Sequence, residues 1–325
     1  MSDRRLYPSP FRRLLRAGRQ LWDRSAPHVS HPDRVTLGEN AVLHPSARLT
    51  VLDAALDGRI MLGDGTYLGR DVELTAASGG SVRIGNDTSL QDGDIIYGDV
   101  TIGAHCLFGR QVFVASRGHN FRRQPAWLIR DQDAALLASP PNAGPHTQIE
   151  DDCWIGQGAV VIPGIYIGRG AVIGANCVVT RDVGPFEVHG GVPNRRIGTR
   201  LDFQPPRALS AMQNEHLPYF YRGFAVSQAA LAQSRRQNVI AVTGEACLVL
   251  AGAEGARLEL QGQLDGSNLR LRINGIAQPV QASGSFSIQS IVPSAQDTPH
   301  TPLRGHTVVE IAATGRLAIS AASLS

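Results

Sequence analysis

A beat of six residues constrains this chain more than any other feature. Apolar side chains recur at Ile84, Leu90, Ile96, Ile102, Phe108 and Val114, and again at Ile149, Ile155, Val161, Ile167, Ile173 and Val179. Glycine follows many of them, at Gly85, Gly103, Gly109, Gly156, Gly168 and Gly174. A weaker version runs earlier through Leu37, Leu43, Leu49, Leu62, Leu68 and Leu74. A strand repeats every second residue and a helix about every 3.6, so neither accounts for a strict six. A solenoid does. Each flat face is about six residues long and sends one aliphatic inward, and three faces close a triangular coil.

The length of 325 residues leaves room for a second domain. With 42% hydrophobic and 18% charged residues, the chain reads as a soluble globular protein. No apolar run approaches the ~18 residues that span a bilayer. The N-terminal arginines are not followed by an apolar core and a small-residue cleavage site, so no secretory signal is expected. Cys106, Cys153, Cys177 and Cys247 lie far apart with no CxxC pair, which suits reduced thiols in a cytoplasmic protein. The net charge is +3, and all 31 basic residues are arginine. Phosphate contacts must therefore come from arginine or backbone N–H groups. Nothing resembles a basic nucleic-acid-binding domain.

Four regions follow along the chain. Residues 1–35 are rich in arginine, and Phe11, Leu14, Leu15, Leu21 and Trp22 form an apolar stripe. This segment is expected to be a helical cap on the open end of the solenoid, with contact to an anionic membrane surface as the other reading. The solenoid is expected over 36–200, interrupted at 116–148 by a segment that lacks the beat. Long insertions of this kind are usually functional or disordered. This one reads as an ordered excursion that reaches a neighbouring subunit. Residues 201–237 look like a helical linker. From 238 to 325, short alternating runs such as Arg257–Leu260 and Val308–Ile311 are separated by turn residues such as Asn274-Gly275. That pattern predicts a small antiparallel β-sandwich accessory domain. The fold class is therefore all-β.

Two stretches carry chemistry. The first is Ser116-Arg117-Gly118-His119-Asn120-Phe121, where the excursion opens. A histidine there suits proton transfer near neutral pH. The second is residues 151–198, with Trp154-Ile155-Gly156, Ile162-Pro163-Gly164, Val179-Thr180-Arg181-Asp182 and Gly191-Val192-Pro193-Asn194-Arg195. Together with the beat, these motifs resemble the left-handed parallel β-helix of hexapeptide-repeat acetyltransferases, of the maltose, galactoside and nodulation-factor O-acetyltransferase type. The resemblance covers roughly residues 36–200.

The resemblance implies an acetyl-CoA-dependent O-acetyltransferase acting on a sugar hydroxyl, in the making of a bacterial surface polysaccharide. It implies a homotrimer, with His119 as general base for direct transfer between two bound substrates. It places the acetyl-CoA contacts at Gln157, Ala175, Thr180, Arg181 and Arg195. Small residues admit the pantetheine arm, and arginine pairs with phosphate. It puts acceptor contacts near Ser89, Gln91, Asp94 and Asn120. Asp92 and Asp94, on the coil below, are candidates for orienting His119. Where the galactoside enzymes carry a sugar-contacting asparagine, this chain has Ser89. Where the family places a second basic residue after the GxPxR turn, it has Gly198, so Arg196 or Arg200 would have to substitute. No metal is expected: a γ-type carbonic anhydrase needs converging histidines, and His105 and His119 are spaced too far apart for that. Serine acetyltransferase would need a large helical domain before the solenoid, for which some 35 residues leave no room, and lipid A acyltransferases fit the single long excursion and the VTRD–GxPxR ending less well. N-acetylation of an amino sugar or antibiotic, and a non-catalytic trimeric scaffold or glycan-binding protein, stay open as alternatives.

Overall fold

The computed structural model describes residues 26–52, 57–77, 79–137, 145–226, 228–252, 254–293, 303 and 305–325. Among the described residues the beat becomes three sheets of seven, six and eight strands, parallel throughout except for one antiparallel strand at the end of the third. Register partners on successive coils are 18 residues apart where the beat is unbroken. Ile95 pairs Phe113 on what we call the first face, Val82 pairs Val100 on the second, and Trp154 pairs Val172 on the third. Three faces of six residues make that repeat. Every beat residue from Ile84 to Val114 and from Ile149 to Val179 is at most 4% exposed. One such Ile or Val stabilises by about 1.5–3 kcal/mol when withdrawn from water. Leu37, on the first coils, has no coil below it among the described residues and is 52% exposed.

The glycines of the beat stand where the next coil comes closest. A Cβ at Gly156 would lie 2.5 Å from the backbone nitrogen of Ala175 one coil above. Corners also need one left-handed residue per turn. At one corner Asp87, His105, Asp152 and Gly170 take that role in succession, with φ between +54° and +69°. Asn, Asp and Gly tolerate this conformation best. His105 is therefore a corner residue stacked over Asp87, with Nδ1 3.6 Å from its carboxylate.

The solenoid starts earlier than expected, because His28–Val29 already pairs with Arg48–Leu49. The apolar stripe from Phe11 to Trp22 lies outside the described residues. The coil opens after Ala115, and the chain returns at Thr147 to pair with Val100. Between them, Ile129–Leu137 forms a helix. After the last coil, Glu187–Gly190 and Arg195–Thr199 form an antiparallel pair.

The C-terminal region is antiparallel β-structure, as expected. All its strands belong to one antiparallel sheet. Its long strands, Arg257–Ile273 and Thr307–Leu324, run through register shifts near Gly262 and Ser267. Buried residues from both ends of these strands share a single core cluster, including Leu258, Leu260, Leu271, Ile273, Val309 and Ile319. The sheet thus folds over its own core. The segment expected to be a helical linker contributes to it directly. Ala208–Ser210 and Arg222–Phe224 are strands of this sheet, and among the described residues only Asn214–Tyr219 and Gln228–Gln237 are helical.

The two regions meet at the second face of the solenoid. The Tyr166 and Tyr221 hydroxyls are 3.0 Å apart, and the Tyr221 hydroxyl accepts the Arg169 backbone N–H at 2.9 Å. Arg222 Nη1 donates to Glu150 Oε1 at 3.0 Å, and Gly223 N donates to Asp151 Oδ2 at 3.2 Å. Glu150 is 1% exposed and its Oε2 has no partner. Burial pushes its carboxyl above the ordinary range, against the pull of Arg222.

Candidate active site

His119 lies just past the point where the excursion leaves the first face. Its side chain is 84% exposed. Nδ1 is hydrogen-bonded to Asp133 Oδ2, and the other carboxylate oxygen accepts the Asn120 backbone N–H at 2.7 Å. Asp133 sits in the helix Ile129–Leu137, so helix and loop clasp each other through one carboxylate. The Asn120 N–H, and then His119 itself, hold the Asp133 carboxyl below the usual range. An ionised carboxylate only accepts hydrogen bonds. It therefore fixes the ring proton on Nδ1 and leaves Nε2 of the neutral ring with a free lone pair.

The root of the excursion is stitched to the coils on either side. Ser116 Oγ accepts the Asp99 N–H, Thr147 Oγ1 donates to the Ala115 carbonyl at 2.8 Å, and Gly164 N donates to Thr147 Oγ1 at 3.0 Å. Asp99 Oδ2 also bonds His146 Nδ1 at 2.9 Å. The loop that holds His119 is thus anchored at both ends.

The residues assigned to acetyl-CoA fall into two groups. Gln157 and Ala175 occupy one corner on successive coils, both exposed, and the Gln157 carbonyl accepts the Asn176 N–H at 2.8 Å. Thr180 and Arg181 lie at the opposite edge of the first face, above the excursion root. They are joined to the final turn by Asn194, which is fully buried. Its Oδ1 accepts the Thr180 N–H at 2.9 Å, and its Nδ2 donates to the Arg181 carbonyl at 3.2 Å and to His189 Nδ1 at 3.0 Å. Arg195 follows directly and is exposed. One chain therefore brings Thr180, Arg181 and Arg195 together and sets Gln157 and Ala175 across the face from them. Neither substitute for Gly198 is unengaged. Arg196 pairs with Glu187 at 3.4 Å, and Arg200 Nη1 donates to the Gly170 carbonyl at 2.9 Å.

The acceptor candidates separate. Asn120 adjoins His119. Ser89 and Gln91 are partly exposed near the other corner of the first face, two coils below Gln157. Asp94 is fully buried: its oxygens accept the Val112 and Gln91 N–H groups, both at 2.8 Å. Burial pushes its carboxyl up to about 7 despite those two donors. It braces a turn and offers no surface to an acceptor. Asp92 is held by Arg70, whose Nη2 is 2.9 Å away. The carboxylate that meets His119 is Asp133, fourteen residues along the chain, and no local motif marks it. Asn194 was legible only as part of the GxPxR turn. Among the described residues, no group of three or more His, Cys, Asp or Glu is arranged to hold a metal, and no helix is long and apolar enough to cross a membrane.

Residues 146–181 match the family model for the bacterial transferase hexapeptide, six repeats. A chloramphenicol acetyltransferase of Klebsiella aerogenes is 36% identical over 120 residues, covering 34% of this chain and 57% of that protein. The putative colanic acid biosynthesis acetyltransferase WcaF of Escherichia coli (strain K12) is 25% identical over 166 residues, covering 51% of this chain and 70% of that protein. Among solved structures, a hexapeptide-repeat acetyltransferase of Vibrio cholerae O1 biovar eltor complexed with acetyl coenzyme A is 29% identical. It has a TM-score of 0.32 and covers 43% of this chain and 73% of that one. The chain spans 57% of the length of the first curated relative it matches. It carries a bacterial-transferase hexapeptide-repeat solenoid, of the kind found in acetyltransferases, with an extra β-rich C-terminal region.

Proposed function

We propose that the chain transfers an acetyl group from acetyl-CoA to a sugar hydroxyl, in a trimer whose sites lie between neighbouring solenoids. The observation that carries this reading is the His119–Asp133 pair, set at the root of a long excursion beside the coils that carry the acetyl-CoA-type motifs. His119 Nε2 takes the proton of the acceptor hydroxyl as its oxygen attacks the thioester carbonyl carbon. The tetrahedral intermediate then expels the CoA sulfur, which takes that proton back from Nε2. Asp133 keeps the ring in the useful tautomer and offsets the charge of the transient imidazolium. No acyl-enzyme forms. Arg181 and Arg195 supply the guanidinium groups for phosphate, and Gln157 and Ala175 leave a shallow corner for the pantetheine arm.

The trimer reading rests on exposed apolar ladders. Leu107 and Trp154 are register partners on the third face and are 59% and 56% exposed. Ile95 and Phe113 are partners on the first face, 36% and 39% exposed. These two faces flank the Gln157–Ala175 corner, while the last coils of the second face contact the chain's own C-terminal region. Contiguous exposed apolar surface marks an interaction site. Trp154→Glu is expected to reduce the solution mass from trimer to monomer in light scattering and to abolish turnover with it. A variant that stays trimeric would place the interface elsewhere.

The direct test is release of free CoA from acetyl-CoA with a panel of bacterial sugars and oligosaccharides. Acceptor-dependent release is expected. Arg181→Ala with Arg195→Ala should raise KM for acetyl-CoA by about tenfold or more and change kcat little. Release with chloramphenicol and with no sugar would favour the second reading, drug acetylation, which the match to chloramphenicol acetyltransferases motivates. No release with any acceptor, and no CoA binding, would leave a scaffold or glycan-binding protein.

A further inference from the structure

The C-terminal sheet holds a cavity of about 520 Å³ whose lining includes Arg222, Arg270, Arg272, Glu245, Glu310 and Gln278. Register assembles it. Arg222 pairs Cys247, Cys247 pairs Glu310, and Glu310 pairs Arg272 on consecutive strands, so one row across the sheet carries two guanidinium groups with a carboxylate between them. Arg270 lies two residues along from Arg272, on the same side of its strand.

The arginines are placed but only loosely paired across the cavity. Arg222 and Arg272 each stand 3.9 Å from Glu310, and Arg270 stands 3.5 Å from Glu245. A closed charge-assisted pair would be near ~2.8 Å. Each arginine is nevertheless aimed. Buried Glu150 holds Arg222 at 3.0 Å, and the Gly275 carbonyl accepts from Arg272 Nε and Nη2 at 3.1 and 2.8 Å. The Arg270 and Arg272 side chains remain 73% and 60% exposed. The rest of the lining includes Ala277, Pro279 and Val280, low apolar surface without an aromatic ring.

We propose that this cavity binds a carboxylate-bearing saccharide unit, and that the C-terminal region is an acidic-glycan-binding module. The planar guanidinium fork matches a carboxylate. Glu245, Glu310 and Gln278 supply acceptors for neighbouring hydroxyls, and the alanine and proline surface takes the C–H face of the ring. Arg222 is already committed to Glu150, so a neutral glycan would leave Arg270 and Arg272 with only their long contacts to Glu245 and Glu310. The inference deepens the acetyl-transfer reading by making its acceptor an acidic polymer, and that part of it rests on that reading.

The experiment is calorimetric titration of the full chain with an oligogalacturonate of six units, beside maltohexaose and sodium polyphosphate. Binding of the uronate at least tenfold tighter than maltohexaose is expected, weakening as salt is raised. Arg270→Gln with Arg272→Gln should weaken it by about tenfold or more, the loss of charge-assisted bonds, with CoA release toward a small soluble sugar unchanged. Equal binding of maltohexaose, binding of polyphosphate alone, no binding of the uronate, or undiminished binding by the double variant would each overturn the proposal. Because binding is read without catalysis, absent CoA release with intact uronate binding would overturn the transferase reading and leave this one standing.

Discussion

Alanine at His119 should lower kcat for acetyl transfer by about 10²–10⁴-fold, the usual contribution of a positioned general base, and leave acetyl-CoA binding intact. The reason is geometric. His119 Nδ1 is committed to Asp133, so only Nε2 can accept the hydroxyl proton. Asp133→Asn should then cost about 10²-fold or more in kcat with little change in KM. An amide can donate to Nδ1 and would move the ring proton to Nε2, where it blocks the base. The pH dependence has a definite sign. Asp133 is held below the ordinary carboxylate range by the Asn120 N–H and His119. The pair therefore stays assembled as pH falls through that range, and Asp133 contributes its negative charge throughout it. Single-turnover rates and CoA titrations on both variants decide the matter. Unchanged turnover in His119→Ala would remove it as the base.

The second large effect concerns the joint between the two regions. Arg222→Met should destabilise the protein by about 3–5 kcal/mol, because it strands a carboxyl that is almost wholly withdrawn from water. Glu150 is 1% exposed, and beside Arg222 its Oε1 accepts only from neutral groups, Gln148 and Tyr166. Glu150→Gln placed on top of Arg222→Met should recover most of the loss, since no buried charge then remains. In the single variant the folded-state pKa of Glu150 rises further above its unfolded value. Stability is then fully retained below the unfolded pKa and is lost as pH rises through the folded one. The gap between variant and wild type should therefore be small below the ordinary glutamate range and should widen as pH is raised above it in urea unfolding. A gap that does not change with pH would mean that Glu150 is not the group responsible.

Cys106 and Cys153 extend the same logic of one inward residue per step. Both are buried, and their thiols donate to carbonyls of the next coil, to Glu150 O at 3.2 Å and Gly168 O at 3.3 Å. Burial pushes the Cys153 thiol up, which keeps it protonated and unreactive.

The solenoid was legible because its order is local. A coil repeats every 18 residues, so each beat residue meets a copy of its own environment, and the inward set follows from spacing alone. Ile84 through Val179 are buried as that spacing requires. The motif residues Thr180, Arg181 and Arg195 also fell together, because they close the last coil. Less was legible wherever contacts are long in sequence and carry no period. Asp133 reaches His119 from a helix inside the excursion, and Asp94, read as an acceptor contact, turned out to brace a turn because its corner leaves both oxygens facing backbone N–H groups. The expected linker joined the C-terminal sheet because Arg222–Phe224 finds an unpaired strand edge there.

The sequence by itself determined the three-faced coil, the place of the excursion and the histidine that opens it, because a strict six-residue repeat permits one packing and makes any interruption conspicuous. Only the tertiary structure decided which carboxylate orients that histidine, which arginines are already engaged, and how the C-terminal sheet is fastened to the second face through Glu150 and Arg222. Those pairings join residues 14 and 72 positions apart, and their cost or benefit depends on burial, which no spacing records.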